Sequence, residues 1–170
     1  YSQIESKNDD ELACQCRGLI LARKDGTPIL SDKEIVGETI VISMPFFRFF
    51  NYGQNEASKI DWASTKFQSK LDGTCCILYH DQLQNKWCVS TRSVPEADQV
   101  LNGFDDLTFR ELFDQALIET TQGHYPCFDD FTVCLNKDCC FIFELTTPKN
   151  IVVIPYKTYR IHLLGIRNKF

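Results

Sequence analysis

No apolar run in this 170-residue chain approaches the ~18 residues needed to cross a bilayer, and the N-terminus lacks the basic-then-apolar layout of a secretory signal. A membrane-spanning helix and an export signal are therefore not expected. Positive charge is not in excess either: the formal net charge is −5. That argues against a protein wrapped in nucleic acid by bulk electrostatics, while leaving room for a local basic cleft. There is no repeat, no low-complexity segment and no Pro/Gly/Ser-rich linker, so residues 1–170 read as one domain without an internal boundary. Histidine is scarce, with only His80, His124 and His162, and Cys14-Gln15-Cys16 has no C-x-x-C partner. A zinc site is not expected. The nine cysteines are odd in number and mostly sit in apolar, strand-like runs without an export signal, which disfavours a disulfide framework. They are expected to be reduced, mostly buried thiols acting as small hydrophobes in a reducing, cytoplasmic setting. The first residue is Tyr1 rather than methionine, so the chain is expected to be processed, excised or part of a longer protein.

What is present points to strands around one clear helix. Cys16 to Ala22 reads as a buried strand carrying Arg17, followed by a turn at Lys24-Asp25-Gly26-Thr27. Ile35 to Met44 reads as a second strand region. Phe46-Phe47-Arg48-Phe49-Phe50-Asn51 surrounds one cation with aromatic rings, either as core with a snorkelling arginine or as a guanidinium fixed by rigid packing. Thr74 to His80 and Lys86 to Ser93 read as a hairpin, with Trp87, Val89 and Thr91 on one face of the second strand and Lys86, Cys88, Ser90 and Arg92 on a polar one. Thr108-Phe109-Arg110-Glu111 is a capping box that opens a helix to about Glu119, with an apolar stripe of Phe109, Leu112, Phe113, Ala116 and Leu117. Residues 128 to 137 fit helix and strand alike. Cys139 to Leu145, Ile151 to Pro155 and Arg160 to Ile166 read as three strands, and the fold class is α+β with antiparallel sheets.

The segment Lys70-Leu71-Asp72-Gly73-Thr74 carries the chemistry. K-x-D-G is the signature of enzymes that attack a nucleoside triphosphate with a lysine amine. An ordinary lysine has a pKa near ~10.4 and is a poor nucleophile at neutral pH, so it needs partial burial or neighbouring cations to become reactive. Alternation places Asp72 on the side of Lys70, and Gly73 permits close backbone approach. Arg17, Arg48 and Arg92 occupy settings where a side chain can be aimed, and Glu144 closes the apolar run Phe141-Ile142-Phe143, where an acid needs a partner. Three arginines, a lysine and two carboxylates suit a triphosphate, a ribose and a divalent metal, because nucleotidyl transfer relies on positioning and charge stabilisation.

With these motifs the chain resembles the RNA ligases typified by the T-even bacteriophage enzyme that repairs tRNA. The resemblance runs through Cys16-Arg17-Gly18, Phe46 to Asn51, Ser69 to Thr74, Phe143 to Asn150, Ile151 to Tyr156 and Leu163 to Asn168, essentially the whole chain. It implies that Lys70 accepts AMP from ATP as a lysyl-adenylate and that Mg²⁺ assists. It further implies that Arg17 contacts the nucleotide, Arg48 the triphosphate tail and Glu144 the ribose, while Asp72, Gly73 and Arg92 complete the nucleotide site. The partners implied are RNA ends, a 5′-phosphate and a 3′-hydroxyl, including those of tRNA. The implied fold is the nucleotidyltransferase domain shared with DNA ligases and capping enzymes. Two departures stand out: Ile151 follows Asn150 where the family commonly has arginine, and Phe170 precedes the family's acid-glycine and paired-lysine motifs. An adenylation domain lacking that lysine pair is expected to be impaired by itself. Two other readings compete: a nucleotidyltransferase acting on DNA ends or caps, and a nucleotide- or RNA-binding or structural module of the same fold without catalysis.

Overall fold

The structure, a computed structural model, describes residue 14 and residues 16–27, 38–54, 57–98, 100 and 107–170. Its centre is a strand pair that side-chain alternation forces to serve two cores at once. β3 (Thr74–Asp81) and β5 (Cys139–Thr146) run antiparallel in the middle of a four-stranded sheet of order β4-β3-β5-β6, with β4 (Lys86–Thr91) and β6 (Arg160–Asn168) outside. Cys76, Leu78, Phe141, Phe143 and Leu145 point to one face. Cys75, Ile77, Tyr79, Cys140 and Ile142 point to the other. Successive residues of a strand face opposite ways, so a strand apolar at every position must be covered on both sides.

A helix covers the first face. α1 (Phe109–Thr120) starts at Thr108, whose side chain accepts from the Glu111 amide while the Glu111 carboxylate accepts from the Thr108 amide. This is the expected capping box, a device of about 1 kcal/mol. Leu112, Phe113, Ala116 and Leu117 are fully buried against the sheet, with the Phe113 ring 5.6 Å from Phe143 and 6.5 Å from Phe128. Each large side chain removed from water contributes about 1.5–3 kcal/mol. Residues 128 to 137, ambiguous in sequence, resolve as a short helix, α2 (Phe128–Thr132), followed by turn.

A second, two-stranded sheet covers the other face. β1 (Ile20–Arg23) pairs antiparallel with β2 (Thr39–Ser43), and Ile20, Ile40 and Ile42 join the core of Ile77, Tyr79 and Ile142. The face of β4 that alternates polar residues is therefore not a solvent face: Cys88 and Ser90 are buried beneath this layer. Of the expected strand region at 35–44, residues 35–37 lie outside the described residues. Antiparallel sheets with few helices make the fold α+β.

Three expected features take another form. β1 begins at Ile20 rather than Cys16, because Gly18 (φ 81°) and the Leu19 amide, bonded to the Cys16 carbonyl at 3.4 Å, turn the chain first. Arg17 is thus on a turn. Ile151 to Pro155 is no strand; it bends across the surface with Ile151, Val152, Val153 and Ile154 exposed. Nor are the cysteines mostly buried: Cys76, Cys88 and Cys140 are, Cys127 and Cys134 are exposed, and the others lie between. Among the described residues, no helix is long and apolar enough to cross a membrane.

Candidate nucleotide site

The K-x-D-G segment enters β3 at the end of the sheet where β5 ends, and five hydrogen bonds tie the segment and the start of β3 to residues 144–156. The amide of Gly73 donates to Glu144 Oε1 at 2.9 Å. Asp72 Oδ2 accepts from the amides of Val153 and Ile154, each at 2.6 Å, and the amide of Asp72 donates to the Tyr156 hydroxyl at 3.1 Å. Asn150 Nδ2 donates to Thr74 Oγ1 at 2.6 Å. Bonds to an ionised carboxylate are about twice as strong as neutral ones, so Asp72 and Glu144 dominate this set. Gly73 is required by the approach of β5: a Cβ there would lie 2.2 Å from the Leu145 carbonyl oxygen. The close contact that a glycine permits is, at this position, with the protein's own backbone.

Arg17, Arg92 and Glu144 converge on Cys75. Glu144 lies directly across from Cys75 in the β3–β5 register. Burial, reinforced by the Glu144 carboxylate, pushes the Cys75 thiol up to about 11, while Arg17 and Arg92 pull the other way. Both arginines and the Glu144 carboxylate thus act on one side chain, Cys75. Gly18 brings the two arginines together, since its α-carbon passes Pro45 and the Arg92 backbone so closely that a Cβ would meet Pro45 Cγ at 3.2 Å and the Arg92 carbonyl at 3.7 Å. Residues 16–20 and 91–95, Arg17 and Arg92 among them, wall a cleft of about 340 Å³. Arg92 lies one residue beyond β4, exposed at the cleft mouth.

The structure therefore gathers Arg17, Arg92, Glu144 and Gly73. Lys70 stands three residues before Gly73, outside the walls of that cleft, and is exposed. Asp72 spends one oxygen on backbone amides. Arg48 is held by aromatic packing, its guanidinium 5.3 Å from the Phe50 ring centre and its amide bonded to the Cys14 carbonyl at 2.8 Å. No contact among the described residues joins Arg48 to the cluster. Tyr156 and Cys75 are site neighbours that the sequence did not single out. Cys75 was legible from alternation with Ile77 and Tyr79; nothing local marks the Tyr156 hydroxyl as a partner for an amide 84 positions away.

The chain is 32% identical over 181 residues to an RNA ligase of Rhodothermus phage RM378, a match covering 90% of this chain and 37% of that protein. It is 28% identical over 170 residues to a putative bifunctional polynucleotide kinase/RNA ligase of Autographa californica nuclear polyhedrosis virus, covering 92% of this chain and 21% of that one. The chain thus spans little more than a third of the length of the first relative and about a fifth of the second. The family profile described as RNA ligase matches residues 15–170, and the chain belongs to the RNA ligase family.

Proposed function

We propose that this chain is the adenylation domain of an ATP-dependent RNA ligase with the nucleotidyltransferase fold. In the first step the Lys70 amine, after losing a proton to solvent, attacks the α-phosphorus of ATP. The N–P bond forms, the bond to the bridging oxygen breaks, and pyrophosphate leaves. AMP then passes from Lys70 to the 5′-phosphate of an RNA. Attack by a 3′-hydroxyl joins the strands and releases AMP.

The observation that carries this reading is the convergence of Arg17, Arg92 and Glu144 on the entry of the K-x-D-G segment. Two cations beside one acid match the needs of phosphates at one end of a nucleotide and a ribose at the other. Glu144 keeps a second oxygen for a ribose hydroxyl while Oε1 holds Gly73. Asp72 and Tyr156 fix the backbone around Lys70, and the rigid aromatic packing of Arg48 suits a contact at the far end of a triphosphate. In that role Arg48 is needed more for adenylation than for sealing RNA that already carries AMP.

The donor set suits a magnesium ion that arrives with the nucleotide. Asp72 has one oxygen left beyond the one that holds Val153 and Ile154, and magnesium usually takes one or two carboxylates plus substrate phosphates rather than a protein cage. Bound in this way it neutralises charge on the triphosphate. The test is label transfer: the full-length protein is incubated with ATP labelled at the α-phosphate and then chased with 5′-phosphorylated RNA. Label on the protein that moves to RNA is expected; a protein that never takes label would remove the proposal.

A further inference from the structure

Tyr52 and Trp62 are 80% and 64% exposed, yet their rings touch, with centroids 6.2 Å apart at 72°. The other tryptophan, Trp87, packs between His80 and Phe141 in the manner of a core residue. Both exposed rings stand on braced turns. Around Tyr52, the Gln54 amide donates to the Asn51 carbonyl at 3.1 Å, the Gln54 side chain accepts from the Asn51 amide, and Gly53 takes φ 85°. Around Trp62, Asp61 accepts from the Ala63 amide at 3.1 Å and the Ser64 hydroxyl at 2.6 Å, and its carbonyl accepts from the Thr65 hydroxyl at 2.6 Å. These rings are held out in water by structure built to hold them.

The charge of the surrounding segment complements a polyanion. Lys59, Lys66 and Lys70 are exposed along residues 57–70, against Asp61 alone, whose exposed carboxylate accepts hydrogen bonds from its own turn. The chain as a whole carries −5, so this stretch runs against its charge balance. Phe67, 88% exposed, lies between Lys66 and Lys70. Trp62 and Lys70 are eight positions apart, a reach of at most about 29 Å. Aromatic faces interleaved with cations form the surface that unpaired bases stack on while phosphates pair with lysines. Paired bases in a duplex have no free face to offer.

We infer that Tyr52 and Trp62 form a stacking platform for single-stranded RNA, holding the strand whose end is to be joined beside Lys70. This rests on the ligase reading, and the two fail separately. In the full-length protein, Y52A/W62A should bind a fluorescently labelled single-stranded oligoribonucleotide about tenfold or more weaker by anisotropy, the loss expected when base stacking is removed. W62F, which keeps a ring, should recover most of the affinity. Formation of protein–AMP from ATP involves no RNA and should keep its rate. Unchanged RNA affinity in the double variant overturns the inference, as does a parent protein that binds no RNA. So does an equal loss of protein–AMP formation, which would put the rings in the nucleotide site. Trp62 fluorescence already shielded from acrylamide in the RNA-free protein would mean that another part of the protein or a protein partner covers the rings, and also overturns it. A parent that binds RNA through these rings without taking AMP would leave the platform standing and remove the ligase mechanism.

Discussion

The amide of Gly73 and the carboxylate of Glu144 meet at 2.9 Å across 71 positions of sequence, so the segment that carries the proposed nucleophile is positioned by the strand that carries the acid. Gly73 permits the approach and Glu144 fills the orphan amide that the approach creates.

Gly73→Ala should therefore be costly. Its Cβ would sit 2.2 Å from the Leu145 carbonyl and force β3 and β5 apart where they meet the site. Overpacking of this kind typically costs about 1–3 kcal/mol, and more where backbone must move. Urea unfolding of the variant should show that loss, together with weakened lysine adenylation. Parent-like stability would mean that the approach is looser than described.

Asp72→Ala should free the segment 150–156 rather than unfold the protein. The carboxylate takes the amides of Val153 and Ile154, which have no strand partner. Hydrogen exchange by mass spectrometry should rise sharply for the peptide containing these amides and little for β3 itself. Exchange unchanged at 153–154 would show that something else protects them.

The misreading of Ile151–Pro155 has the same physical source. A run of branched apolar residues looks like a strand, but a strand needs a neighbour to take its amides, and here a single aspartate from a distant loop does that work. The hairpin of β3 and β4 and the capped helix were legible because their signals are local: alternation, a turn, and a threonine three residues before a glutamate. Arg17 was misplaced onto a strand because one positive-φ glycine, invisible to periodicity, turns the chain before β1. The convergence of Arg17, Arg92 and Glu144 depends on three elements meeting, and composition carries no trace of that.

Cys75 should remain a thiol through the neutral range. Its folded value of about 11 lies above the ordinary 9.0, first because of burial and then because of Glu144. The folded state therefore holds this proton more tightly than the unfolded chain. The resulting stabilisation is complete below about pH 9 and is lost as pH rises toward 11. Iodoacetamide at pH 8 should modify the exposed Cys127 and Cys134 well before Cys75. Rapid modification of Cys75 under those conditions would mean that the strand opens or the two arginines dominate its environment.

The most direct measurement is the position of AMP. After incubation of the full-length protein with ATP and magnesium, peptide mass mapping should place a single AMP on Lys70 and none on Lys59, Lys66 or Lys86. K70A and K70R should carry none, because alanine has no amine and a guanidinium is not a usable nucleophile near neutral pH. AMP on another lysine, or AMP retained in K70A, would contradict the account.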